Sequence, residues 1–254
     1  MTEATLSGKA IVVTGAAQGI GKSIVELALE RGASVAAVDV NAEGLAALGG
    51  VDDALLRLTG SVADSDFAQR AVDESAARFG AVHGLVNNAG VIRPAMIEKM
   101  SLAAWRDVIE VHLSGSFYFL QAVGRHMLAR AQAGDRAPGA IVNISSDAGR
   151  RGTVGQINYA AAKAGVFGLT MGAAREWGKY AIRVNTVCFG VVETPMTETI
   201  RSERFRDTYL AQIPLGRWAT TDEVAQPVCF LLSDQASYIT GQHISVNGGY
   251  TIGL

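Results

Sequence analysis

The segment "NISSDAGRRGTVGQINYAAAKAG" holds three side chains that can act on one oxygen atom: Ser146, Tyr159 and Lys163. Tyr159 and Lys163 are four residues apart, so a helix places them on one face. A free phenol titrates near 10, and an adjacent ammonium lowers that value by stabilising the phenolate. Bringing it to about 7 takes roughly 3 units, or ~4 kcal/mol. A phenol so tuned exchanges a proton with an alcohol near neutral pH, while a serine hydroxyl holds the same oxygen. Taken alone, this spacing is equally that of an exposed helix pair.

A second group has a different chemistry. "VVTGAAQGIGKSI" sets Gly15, Gly19 and Gly21 between an apolar run and a helical pattern. Glycines there let the backbone turn tightly and approach a pyrophosphate, which then rests on a helix N-terminus. The spacing TGxxxGxG departs from the common GxGxxG. One glycine suffices for a plain turn, whereas three favour a nucleotide. Asp39 lies 18 residues past Gly21, close to the ~20 expected of an acid that bonds the adenosine ribose. A carboxylate there repels the 2′-phosphate of NADP, and neither Ala17 nor Val40 is basic. Both features point to NAD. Asp39 also fits as a helix or turn cap.

These residues need elements to position them. Strand candidates are 10–15, 34–39, 54–58, 82–88, 140–145, 182–189 and 243–248. Helical patterns lie between them at 20–31, 64–79, 101–130, 158–179 and 222–233. Ser101 caps the third of these, Thr221-Asp222-Glu223 open the last, and Gly178 stops the fourth. Alternation of strand and helix implies parallel strands joined by right-handed crossovers. Parallel strands are buried on both faces and read as apolar runs, as these do. The expected architecture is an α/β, doubly wound Rossmann-type fold of about seven parallel strands with helices on both faces. A single domain over 1–254 is expected, with a substrate flap at about 193–215.

Composition narrows the function. The 254 residues carry a net charge of −2, 49% apolar and 18% charged side chains, which suits a packed core. No basic excess exists to neutralise nucleic acid. No apolar run approaches the ~20 residues of a membrane span, and "MTEATLSGKA" does not read as a signal peptide. A cytoplasmic protein is therefore expected. Cys188 and Cys229 make neither a metal spacing nor a disulfide framework.

Taken together, "TGAAQGIG" (14–21), "NNAG" (87–90), Ser146 with Tyr159 thirteen residues on, "YAAAK" (159–163), "VNTVCFGVVETPM" (184–196) and "SYITGQHISVNGG" (237–249) resemble the short-chain dehydrogenase/reductase family, of its "classical" length type, over essentially the whole chain. The resemblance implies that Tyr159 is the acid/base and that Ser146 orients and polarises the substrate oxygen. Lys163 is implied to lower the tyrosine pKa, with help from the positive nicotinamide, and to bond its ribose. Gln18 and Ile20, in the glycine turn, are implied cofactor contacts. So are Asn88, Ala89 and Gly90 near the fourth strand, and Gly190, Val192 and Thr194 at the carboxamide. A homotetramer built on helices 101–130 and 158–179 and the last strand is also implied.

The chain departs from the family pattern in places. Ser61 stands where an acid usually meets adenine, with Val62 still supplying an apolar edge. Phe189-Gly190 replaces Pro-Gly and adds an aromatic wall. His112, in "HLSG", replaces an asparagine that helps hold a water linking the lysine to solvent. An imidazole with a pKa near 6.5 can keep such a relay, or it can be a core histidine with a satisfied ring. The substrate pocket is expected from Asp147 to Thr153, Gln156, Phe189 to Val191 and Met196 to Leu210. Arg150 and Arg151 read either as clamps for an anion or, more simply, as a solvated pair. The favoured function is NAD-dependent interconversion of a small-molecule secondary alcohol and a ketone. The alternatives are an NADPH-dependent ketone or 3-oxoacyl reductase and a non-catalytic nucleotide-binding protein. An epimerase or dehydratase is less favoured, since little chain remains for a larger substrate domain.

Overall fold

Every residue of "AIVVT" (Ala10–Thr14) is buried, as expected of a strand covered on both faces. In the computed structural model, which describes residues 5–50 and 53–253, this run is β1. Residues 1–4 of the polar N-terminal stretch lie outside that range. The chain continues through α1 (Gly19–Glu30), β2 (Ser34–Asp39), α2 (Ala42–Ala46), β3 (Leu55–Thr59), α3 (Ser65–Phe79) and β4 (Gly84–Asn87). Next come α4 (Leu102–Ile109), α5 (Gly115–Gln132), β5 (Gly139–Ser146), α6 (Ala148–Arg151), α7 (Ile157–Trp177) and β6 (Ile182–Phe189). The last elements are α8 (Glu198–Arg201), α9 (Glu203–Leu210), α10 (Thr221–Leu232) and β7 (His243–Val246).

The seven strands form one sheet in the order β3-β2-β1-β4-β5-β6-β7, and every pair is parallel. The expected doubly wound fold is what the chain adopts. On one face Ile24, Val25 and Ala28 of α1 and Val228 and Leu231 of α10 close the core. On the other, Val72 of α3, Phe119, Val123 and Met127 of α5 and Ala173 of α7 do so. Each fully buried aliphatic or aromatic side chain contributes about 1.5–3 kcal/mol, so the sheet is a firm base for the loops at its strand ends. The chain leaves β1 for β2 and β3, then returns across β1 to β4. Doubly wound sheets open a crevice at that reversal, at the carboxyl ends of the strands. Gly15 and Asn88 lie at those two ends.

The caps explain most helix boundaries. Ser101 Oγ accepts from Ala104 N–H at 3.1 Å. Thr220, one residue earlier than expected, caps α10, and Glu223 returns a bond to its backbone N–H at 2.9 Å. Gly178 ends α7 as expected but keeps a right-handed φ of −55°. The left-handed residue is Ala181, at φ 59°, because β6 starts at the next residue and the chain must reverse there.

The expected single helix over 101–130 is interrupted. Residues Glu110–Ser114 form a π-turn between α4 and α5. Such turns are rare and mark functional sites often. Two glycines make room for it. A Cβ at Gly115 would lie 2.9 Å from Val62, and one at Gly165 would lie 2.8 Å from Leu113. The residue that the turn carries inward is His112.

Candidate active site

The glycine turn is shaped by what surrounds it. Gly15 has a φ of +66°, and a Cβ on it would sit 2.7 Å from the Ala89 Cα. Asn88 Nδ2 donates to the carbonyls of Thr14 and Gly15 at 3.0 and 3.1 Å. Thr14 Oγ1 accepts from the N–H groups of Asn88 and Ala89. The side chain of Asn88 therefore braces the turn. Gly21 plays another part: its Cβ would fall 1.9 Å from the Gly15 carbonyl oxygen. It is buried beneath the turn and does not line the cleft, a correction to its expected cofactor contact. Gln18 is extended, makes no side-chain cap, and no acid occupies the first turn of α1. The leading amides of α1 are thus free to meet a phosphate.

Asp39 ends β2 with both carboxylate oxygens held. Oδ2 accepts from Ala17 N–H and Oδ1 from Asn41 N–H, each at 3.0 Å. A carboxylate has about four lone-pair sites, so two remain for ribose hydroxyls. Its neighbours in the cleft are Val40, 68% exposed, and Asn41. Further along, Ser61 Oγ accepts from Ala63 N–H at 3.2 Å, and buried Val62 packs on α5.

Ser146, Tyr159 and Lys163 line the same cleft. Ser146 is the last residue of β5, and its Oγ accepts from Ala148 N–H at 3.2 Å, which leaves its O–H to donate. Tyr159 and Lys163 lie one turn apart on α7. Lys163 Nζ donates to the Ile144 carbonyl at 2.7 Å and stands 5.7 Å from the Tyr159 ring centroid. Burial lowers the lysine pKa to about 8. Burial raises the Tyr159 phenol, and a hydrogen bond from Ser146 opposes that rise. The expected drop toward neutrality is therefore not present among the protein groups alone. The physical reason is that the ammonium sits over the ring with one donor spent on Ile144.

His112 is 2% exposed, and its ring meets Tyr159 edge-on with centroids 5.0 Å apart. Its Nε2 lies 2.7 Å from the Val91 carbonyl oxygen and 2.9 Å from the Val91 nitrogen. One nitrogen cannot both give and accept. The shorter contact assigns Nε2–H as donor to the carbonyl. Nδ1 is buried without a partner among the described residues. Gly90 has to be glycine here, since a Cβ would fall 2.3 Å from the His112 Cε1. Burial first, then the Lys163 charge, lowers the His112 pKa to about 3. Of the two readings of His112, a titrating relay group near pH 6 to 7 and a core histidine, burial favours a neutral imidazole.

A neutral His112 makes stability depend on pH. The unfolded histidine takes a proton near 6.5 while the folded one does not, so stability present above 6.5 is lost as pH falls toward 3. Between pH 7.5 and pH 5 the loss from this group is about 2 kcal/mol. Urea unfolding at those two pH values should show His112→Asn losing correspondingly less than the native chain. Equal losses would contradict the neutral assignment. His83, His126 and His243, also lowered chiefly by burial, are common to both proteins and cancel.

On the substrate side, Phe189, Gly190, Val192, Thr194, Met196 and Thr197 line the cleft. Asp147, Arg150, Arg151 and Gln156 do not. Arg150 donates to Ser245 Oγ and the His243 carbonyl at 2.9 and 2.8 Å, and Arg151 to the Tyr250 carbonyl at 3.0 Å. Both tie α6 to the last strand and tail, Arg150 half-buried and Arg151 exposed to solvent. Gly190 is needed because its Cβ would lie 3.0 Å from the Asn247 Cα. The cleft, about 380 Å³, also takes in Gly60, Val91, Val111, Ile144 and Ser145, which the motifs did not single out. They enter by adjacency at strand ends, and Asn41 by the bond to Asp39.

Comparison with known proteins bears on this arrangement. A family model described as enoyl-(acyl carrier protein) reductase matches residues 15–251. A solved short-chain dehydrogenase/reductase of the glucose/ribitol dehydrogenase type from Brucella melitensis superposes with a TM-score of 0.92 at 31% identity, covering 99% of this chain and 100% of that one. The chain belongs to the short-chain dehydrogenase/reductase family. Among other family members, a 3-oxoacyl-[acyl-carrier-protein] reductase from Thermotoga maritima is 42% identical over 255 residues, 97% of this chain and 99% of that protein. A D-threitol dehydrogenase from Mycolicibacterium smegmatis is 42% identical over 251 residues, 97% of this chain and 94% of that protein. The protein is thus an oxidoreductase of this family, whose members bind a nicotinamide cofactor. The cleft fits such a group. Gly15, Gly19, Gly60, Gly90 and Gly190 line it, Asp39 has free acceptor sites at one end, and Ser146, Tyr159 and Lys163 line it at the other.

Proposed function

We propose that the protein is an NAD-dependent dehydrogenase that interconverts a small secondary alcohol and its ketone, with Tyr159 as acid/base. Bound NAD supplies the hydride acceptor and a positive charge beside the phenol. Ser146 turns its O–H from the Tyr159 phenol to the substrate oxygen and orients it. The Tyr159 oxygen takes the hydroxyl proton as the carbinol carbon gives up its hydride. Lys163 has three N–H donors; one is spent on Ile144, which leaves two for ribose and water. His112, whose Nδ1 is buried without a partner among the described residues, serves as a neutral acceptor for a relay water. The observation that carries the cofactor choice is Asp39, held by two backbone N–H groups and flanked by Ala17, Val40 and Asn41 with no basic side chain.

A 3-oxoacyl reductase running the reverse reaction with NADPH is the second reading, and relatives bearing that name support it. The D-threitol dehydrogenase relative supports the alcohol side. Initial rates of NADH formation over cyclic, aromatic and polyol secondary alcohols and hydroxy acids test the proposal. At least one class is expected to reduce NAD. Turnover restricted to NADPH and 3-oxoacyl thioesters would overturn it.

A further inference from the structure

The substrate side carries contacts that the proposed chemistry leaves unused. Asp147 follows Ser146 directly and is 3% exposed. Asn247 Nδ2 donates to both of its oxygens, at 3.1 and 2.9 Å, and Asn247 Oδ1 accepts from Gly249 N–H at 3.0 Å. Arg151, at the end of α6, lies 4.2 Å over the Tyr250 ring and donates to the Tyr250 carbonyl. The Tyr250 ring in turn stacks on Tyr209 of α9, with centroids 6.4 Å apart and an interplanar angle of 28°. The backbone follows the same path. Leu215 N–H donates to the Gly248 carbonyl at 3.1 Å, and Gly190 N–H to the Val246 carbonyl at 3.2 Å. Gly248 and Gly249, at φ +65° and +89°, are where the tail meets Ile213 and Pro214: added Cβ atoms would lie 2.9 and 2.7 Å from those side chains.

The segment this tail touches has little else to hold it. Neither α8 nor α9 contains a buried residue. Its near end is tied by Arg201, which donates to the Thr194 carbonyl and to Thr197 Oγ1. Its far end is held by buried Ile213. Between them, Tyr209 stacks on Tyr250, and just beyond α9 Gln212 Oε1 accepts from Arg151 at 3.5 Å. Segments with few buried contacts open at low free energy, so a single stack weighs heavily there.

We propose that residues 247–250 are a strap that clasps α6 to the α8–α9 segment, and that Tyr250 is a positioning residue for the substrate wall. The Arg151–Tyr250–Tyr209 stack joins the helix that follows Ser146 to the segment that begins with Met196 and Thr197. It thereby fixes the spacing between the elements that adjoin Ser146 on one side of the cleft and Met196 and Thr197 on the other. The substrate part of this inference rests on the dehydrogenase reading, whereas the clasp itself does not.

Amide hydrogen exchange over 198–212 tests the clasp without any substrate. Tyr250→Ala should speed exchange there about tenfold, the loss of one stack and one cation–π contact, and leave α1 and α10 unchanged. Tyr250→Phe keeps both ring contacts, loses only the Arg151 bond to the phenol oxygen, and should stay within about twofold of the native protein. Arg151→Lys keeps the charge but not the planar stack, and should show the local effect if Tyr250→Ala folds poorly. With the best alcohol, Tyr250→Ala should raise KM about tenfold with kcat and NADH affinity nearly unchanged. Unaltered exchange in both variants overturns the clasp, and faster exchange with an unaltered KM overturns the positioning role. Native protein that turns over no alcohol, with exchange altered as expected, leaves the clasp standing and removes the dehydrogenase reading.

Discussion

Tyr159→Phe is expected to lower the rate of alcohol oxidation by about 10³-fold, with NADH affinity nearly unchanged. The substitution removes one O–H and keeps the ring that packs against His112. Ser146 and Lys163 remain, so substrate and cofactor still have their other contacts. What is lost is the group that receives the proton as hydride departs. An interaction needed only in the transition state lowers kcat without a matching rise in KM. Steady-state kinetics and an NADH fluorescence titration on the same preparation check both halves. A kcat within tenfold of the native value would remove Tyr159 from its role. The phenol is raised by burial, so its work as a base relies on charge brought beside it by Lys163 and the oxidised nicotinamide.

Asp39→Ser is expected to reverse cofactor preference. In the native chain a 2′-phosphate would meet a carboxylate already held rigidly by Ala17 and Asn41. Two unit charges about 4 Å apart repel by about 4 kcal/mol at an effective dielectric near 20. Partial exposure reduces this, and about 100-fold discrimination against NADP is the expected scale. Serine removes the repulsion and keeps a hydroxyl. It also removes the two lone-pair sites left for the ribose. The kcat/KM for NAD should fall by about tenfold to 100-fold and that for NADP should rise. Cofactor titrations at fixed alcohol for both proteins measure the change. A variant that keeps the native preference would mean that Asp39 only caps its turn.

Much of the architecture was legible because parallel strands buried on both faces leave apolar runs, and seven of them alternate with helical patterns. The cleft residues were legible where backbone geometry demands a residue type. Gly15 has a positive φ against Ala89, and Asp39 ends a strand beside two N–H groups. Gly21 carried the same signal for another reason, since its missing Cβ serves packing under Gly15. The π-turn at His112 was not legible, because one extra residue in a helix leaves the apolar period nearly intact. Nor was the state of the imidazole: type alone suggests a titrating group, and only burial beside Lys163 shows why it stays neutral. Arg150 and Arg151 misled because sequence shows their charge but not the Ser245, His243 and Tyr250 acceptors from a strand and tail nearly 100 residues on.

The most direct test is the ratio of kcat/KM for NAD to that for NADP on the native protein, measured with its best secondary alcohol. A ratio of about 100 in favour of NAD is expected. A ratio at or below one would contradict it and assign the cleft to NADPH-dependent reduction.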